Sequence, residues 1–192
     1  QFVISRHEIL RTTFPLEDGH FVQHIEPAPR SYSIPLTDLT HLPPERREMH
    51  LKQAIDDAAN APFDLEHGPL TVSYLFRLDE NEYVLFLNQH HIVIDGSSTA
   101  ILIHELSTAY RAFSAGNRAD HLPLPIQYAD YAIWQNDWLK GSAYQQRLAY
   151  WADLLEGAPN LLELPTDFPR PLAQSTNGGC VSGNVSLEPV SY

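Results

Sequence analysis

The stretch from Leu70 to Phe113 constrains this chain more than any other part of it. Leu70, Val72, Tyr74, Phe76 and Leu78 alternate with Thr71, Ser73, Leu75 and Arg77, the period of a strand with one face buried. Asp79-Glu80-Asn81-Glu82 is a polar turn. Tyr83 to Leu87 is then apolar at every position, which predicts a central strand covered on both faces. Asn88-Gln89-His90-His91 follows at once, then Ile92-Val93-Ile94-Asp95-Gly96-Ser97-Ser98. Beyond it, Leu102, Leu106, Ala109 and Phe113 mark a helix, with Ser97 or Ser98 placed to cap it and Gly116-Asn117 to end it. Two strands, a polar loop and a helix in this order predict a mixed α/β fold.

The flanks fit that class. Residues 2–10 read as the end of a helix. Segments around Thr12–Phe14 and Phe21–Ile25 flank Leu16-Glu17-Asp18-Gly19, where Asp-Gly supplies a hairpin turn. Tyr32–Leu36 reads as a short strand. Pro43-Pro44-Glu45 opens a helix to about Asn60, with Leu51, Ala54, Ile55 and Ala58 as its apolar stripe. Leu122-Pro123-Leu124-Pro125 is a stiff connector. Gln127–Leu139 and Ala143–Leu155 read as two further helices. The prolines of Leu164-Pro165-Thr166-Asp167-Phe168-Pro169-Arg170-Pro171 exclude a helix and predict a crossover or linker. Val181–Leu187 reads as the start of a strand. Gln1 stands where a complete chain has Met, and Val3-Ile4-Ser5-Arg6-His7-Glu8 reads as the middle of a structured element. Both predict a piece of something longer.

Composition removes several function classes. With 12 Lys+Arg against 24 Asp+Glu in 192 residues, the net charge of −12 argues against a nucleic-acid partner, since phosphate contacts need cations. Runs such as Tyr83–Leu87 are too short to cross a bilayer. The single cysteine, Cys180, excludes an internal disulfide and a cysteine-based zinc site, and points to the cytoplasm. It follows Gly178-Gly179 with no histidine near in sequence, so it reads as a buried or incidental thiol.

The histidine pair is the candidate site. Neighbours on an extended chain point to opposite faces, so one ring at most aims at a substrate and the other packs inside. Asp95, across the Ile-Val-Ile spacer, is placed to orient a ring or to pair with an arginine. Gly96 permits a tight turn. A metal site needs a third ligand, for which His104 is the nearest candidate, but no ligand rhythm or HExxH motif is present.

His90-His91-Ile92-Val93-Ile94-Asp95-Gly96 resembles the HHxxxDG signature of condensation domains of nonribosomal peptide synthetases. Arg6-His7-Glu8-Ile9-Leu10-Arg11-Thr12-Thr13-Phe14 is similar to that family's RHExLRTxF motif, and Tyr128-Ala129-Asp130-Tyr131-Ala132-Ile133-Trp134 to its YxDYAxW motif. Ala61 to Leu70 and Leu162 to Pro171 also resemble family stretches. The resemblance runs along essentially the whole chain yet covers less than half of a full condensation domain.

The resemblance implies a chloramphenicol-acetyltransferase-like lobe, a mixed sheet flanked by helices. Residues 1–164 would be a partial N-terminal lobe, and 165–192 the crossover and start of a second lobe. It implies amide formation between two aminoacyl or peptidyl thioesters held on 4′-phosphopantetheine, with no cofactor or metal bound directly. The partners implied are donor and acceptor carrier domains, an adenylation domain and the second lobe. Local basic patches at Arg46-Arg47, Arg111 with Arg118, or Lys140 are the places for a carrier to dock. His91 would position and deprotonate the acceptor amine. Gly96 would leave room for the channel and offer a backbone N–H. His90, Asp95 and Arg6 would support the site, Asp95 through a buried pair with Arg6. Tyr128, Asp130 and Trp134 share no single helix face, so they read as packing. Alternatives are an epimerization relative and an inactive module that only docks carriers. The isolated piece is expected to be inactive, lacking the opposite tunnel wall.

Overall fold

The computed structural model describes residues 1–119, 123–161, 164–173, 175 and 183. Two units are distinguished, Gln1–Gln146 and Arg147–Tyr192. Cys180 and the strand expected at 181–187 lie outside the described residues.

The first unit opens with a short helix, α1 (Phe2–Arg6), and a 3₁₀ turn over Glu8–Arg11. Four two-residue strands follow: β1 (Thr12–Thr13), β2 (Leu16–Glu17), β3 (His20–Phe21) and β4 (His24–Ile25). β1 pairs β4 and β2 pairs β3, both antiparallel. The turn between β2 and β3 is the expected Asp18-Gly19, at φ 48° and 79°. These are left-handed values that Asp tolerates and Gly adopts freely. β5 is Leu36–Asp38, later than the expected Tyr32–Leu36. Pro35 has no N–H to give a ladder, and its carbonyl instead accepts from Leu75 N at 2.9 Å.

Helix α2 (Pro44–Asn60) starts on proline as expected and packs against β7. Asn88 Nδ2 donates to the Ala58 carbonyl near its end. The main sheet is ordered β5-β6-β7, with β6 (Thr71–Arg77) parallel to β5 and antiparallel to β7 (Tyr83–Gln89). This differs from the expectation that the Tyr83–Leu87 strand is the central one. Among the described residues the all-apolar β7 is an edge strand of this sheet, with Tyr83 49% and Leu85 45% exposed. The alternating β6 is the central one, and its polar face is buried at Thr71 and Ser73. The buried hydroxyls are satisfied: Gln89 Nε2 donates to Thr71 Oγ1, and Tyr32 Oη lies 3.1 Å from Ser73 Oγ. A period-two pattern therefore marks two chemically different faces here, both of them covered.

Helix α3 (Gly96–Ser114) carries the other half of the core. Among the described residues Leu102 and Ala109 join Val3, Leu39, Leu70, Phe76 and Val93 as the buried apolar residues. It ends as expected at Gly116: the Gly116 N–H bonds to Phe113 O and the Asn117 N–H to Ala112 O, closing the terminal carbonyls at φ 74°. Its cap is Asp95, ahead of the expected serines. Phe2 meets Phe113 edge-on at 6.4 Å, tying α1 to α3.

Helix α4 spans Tyr128–Leu139, and α5 (Ser142–Leu154) crosses the boundary between the units. Tyr128, Tyr131, Trp134 and Trp138 stack in series at 5.5–6.5 Å, and Trp138 meets Tyr144. Tyr128 and Trp134 remain 48% and 58% exposed, so these rings pack against one another rather than into the core. Beyond the end of α5 the described residues of the second unit run as coil and turns, and residues 164–171 are free of helix. Among the described residues no helix is long and apolar enough to cross a membrane.

Candidate active site around the histidine loop

The loop between β7 and α3 is built around one buried side chain. The chain leaves the sheet with the His90 N–H bonded to Leu70 O, and turns as the Val93 N–H reaches back to His90 O. Val93 is 5% exposed, while Ile92 stands 40% exposed. Burying a valine contributes about 1.5–3 kcal/mol, enough to pin a short loop. This apolar plug is what the Ile-Val-Ile spacer supplies.

The two histidines then part. His90 is half-buried, its ring edge-on to Phe63 at 5.8 Å and 83°. Its Nδ1 accepts the Ile92 N–H at 3.1 Å, which assigns the proton of the neutral ring to Nε2. His91 is exposed, and its ring makes no hydrogen bond among the described residues.

Asp95 caps α3. One carboxylate oxygen accepts both the Ser98 N–H at 2.7 Å and the Ser98 hydroxyl at 2.6 Å. The Asp95 carbonyl accepts from Thr99 N and Thr99 Oγ1. The Ser98 hydroxyl and the Ser98 N–H hold the Asp95 carboxyl below the usual carboxylate range, with the nearby His91 adding to them. Gly96 is the first residue of α3 and has no left-handed φ; a Cβ built on it meets nothing within 4 Å. Glycine is therefore not demanded here by backbone strain or by crowding from this chain.

The expected Arg6–Asp95 pair is corrected. Among the described residues, the carboxylate bridged to Arg6 is Glu105, with Nε to Oε1 at 3.0 Å. Asp95 sits at the exposed N-terminus of α3, where the helix's own N–H groups claim its oxygen. Glu105 lies on the face of α3 that meets α1, and His7 Nε2 reaches its other oxygen at 2.7 Å. Glu105 is 6% exposed, and sequence reasoning passed over it. The signal was an acid at i+3 from Leu102 and i−4 from Ala109, inside the apolar stripe. Burial pushes its carboxyl up, but the hydrogen bonds from His7 and Arg6 outweigh burial and leave it below its ordinary value.

Gln127 was missed as well. Its Nε2 donates to Arg6 O at 3.0 Å and its Oε1 accepts the Glu8 N–H at 3.2 Å, docking the start of α4 on the α1 junction. Asp130 Oδ2 accepts the Gln127 N–H, so the aspartate of that motif is a cap. Of the basic patches, Arg47 is turned inward to the carbonyls of Thr40 and Leu42, Arg111 Nε donates to Ser107 O, and Lys140 pairs with Asp137. Among the described residues no group of three His, Cys, Asp or Glu side chains could hold a metal ion.

Comparison with known proteins agrees with this fold. The profile of the family described as Condensation domain matches residues 1–188. A linear gramicidin synthase of Brevibacillus parabrevis is 48% identical over 178 residues, 93% of this chain and 2% of that protein. A dimodular nonribosomal peptide synthase of Bacillus subtilis is 38% identical over 191 residues, 97% of this chain and 8% of that protein. The chain thus spans only a small share of its curated relatives. Among solved structures, the X-domain in complex with OxyB from teicoplanin biosynthesis superposes with a TM-score of 0.74 at 32% identity, over 89% of this chain and 37% of that one. The epimerization domain from the third module of tyrocidine synthetase B gives 0.70 at 27%, over 88% and 38%. Profile, relatives and fold converge: the chain belongs to the condensation domain family of nonribosomal peptide synthetases.

Proposed function

We propose that this chain contributes the histidine side of a site that forms an amide between two carrier-tethered thioesters. The acceptor amine attacks the donor thioester carbonyl; the C–N bond forms, the C–S bond breaks, and the amine proton leaves as the pantetheine thiolate departs and is protonated. His91 positions the amine and takes its proton, a role worth about 10²–10⁴-fold in rate. His90 and Asp95 hold the loop, and Gly96 leaves space for the reacting carbonyl. Residues 1–164 belong to the N-terminal lobe and 165–192 lead into the second, which supplies the facing wall. Donor and acceptor carrier domains and an adenylation domain are the partners.

The observation that carries this reading is the exposed ring of His91, beside His90 and Asp95 whose side chains are both engaged within the loop. The epimerization domain of tyrocidine synthetase B is a specific reason to keep proton transfer at a donor α-carbon as a second reading. The test supplies the full-length protein with loaded donor and acceptor carriers and analyses the tethered products by mass spectrometry and chiral separation. Amide on the acceptor supports condensation. A donor inverted at its α-carbon with no amide moves the chain to the second reading, and neither product leaves a carrier-docking module.

A further inference from the structure

We propose that Glu105 is the positioning residue of the histidine loop, acting through Arg6 and His7; the proposal rests on the reading of His91 given above. Glu105 sits on α3 ten residues past Asp95, about 15 Å along the helix axis at 1.5 Å per residue, so it touches no reacting atom. Each of its oxygens takes one donor from consecutive residues of another segment, Arg6 Nε at 3.0 Å and His7 Nε2 at 2.7 Å. A buried carboxylate without such partners is strongly disfavoured, so the clamp fixes where the two segments meet.

His7 is where the clamp changes the chain's course. It is extended, at φ −103° and ψ 107°, between α1 and the 3₁₀ turn. Anchoring its ring sets the direction in which Ile9 and Leu10 leave. Those two residues and His7 form one side of a cavity of about 120 Å³. Val93, Ile94 and Ser98 of the histidine loop and its cap line the other side. Buried Val93 and Leu102 pin the loop side of this pocket, and across it the Glu105 clamp restrains the course of the chain into the 3₁₀ turn. Ser98 is also the residue that holds Asp95, so a shift of this wall reaches the loop that carries His91.

The test uses the full-length protein with loaded carriers and three variants: Glu105→Gln, His7→Gln and the double. Melting temperature, kcat and the KM for the loaded acceptor are measured for each. A displaced catalytic group lowers kcat without weakening carrier binding. The expected result is KM unchanged and kcat down on the order of tenfold in either folded single variant. The double is expected to be no slower than the worse single, since both break one clamp. Should Glu105→Gln fail to fold, His7→Gln carries the same readout, because its ring is only partly buried. Wild-type kcat in a folded variant, or multiplying losses in the double, overturns the proposal while leaving the reading of His91 intact. A wild type that makes no amide overturns that reading and this inference with it.

Discussion

The ring of His90 stands edge-on to Phe63 at 5.8 Å, while its neighbour His91 is exposed. Adjacent, identical side chains thus have opposite surroundings, and substitutions at the two should separate fold from activity. His90→Ala loses an aromatic contact and the acceptor for the Ile92 N–H. It should lower stability by about 1–3 kcal/mol in urea unfolding. His91→Ala should leave the unfolding midpoint where it was. Equal destabilisation by both would contradict the division of roles.

Asp95 as a helix cap makes a different prediction from Asp95 in a buried ion pair. Asn caps helices about as well as Asp but carries no charge. Asp95→Asn should therefore keep the melting temperature, and Asp95→Ala should lower it. If Asn and Ala variants melt together, well below wild type, the charge is what matters and the cap account fails.

Glu105 gives the fold an acid-sensitive point. Its folded pKa lies below the ordinary value, so the carboxylate binds its proton more readily in the unfolded chain. The stabilisation it contributes is complete above the unfolded pKa and is lost as pH falls through the lower, folded one. Melting curves from pH 7 downward should show wild type losing stability over that acid range. Glu105→Gln should lose less over it. Parallel curves for the two proteins would contradict the assignment.

Gly96 opens onto empty space, and its φ is one that other residues adopt. Gly96→Ala should leave thermal stability unchanged or raise it slightly, since alanine is the better helix residue by about 0.5–1 kcal/mol. The proposed channel predicts that the same methyl group slows amide formation. A stable Gly96→Ala protein with full activity would remove the steric role from Gly96.

Local chemistry was legible in the sequence wherever one segment decided the outcome. Asp18-Gly19 turns as such pairs do, Gly116 closes α3, and proline starts α2. What the sequence could not show was which strand is central. The apolar run Tyr83–Leu87 reads as doubly covered, yet among the described residues it lies at an edge. Thr71 and Ser73 read as solvent-facing, yet they are buried because Gln89 and Tyr32 satisfy their hydroxyls. The partner of Arg6 was illegible for a similar reason. Arg6 and Glu105 are 99 residues apart, and only the docking of α1 on α3 brings them together. The histidine loop differs from the expectation in its cause: both histidines lie beyond the end of β7, so the turn closed by the Val93 N–H on the His90 carbonyl, rather than strand alternation, gives the two rings different surroundings.

The central claim is that His91 handles the acceptor amine. Single-turnover amide formation by the full-length protein, wild type against His91→Ala with both carriers loaded, tests it most directly. The account predicts a fall of about 10²-fold or more with carrier binding unchanged. A His91→Ala protein that forms the amide at the wild-type rate contradicts it.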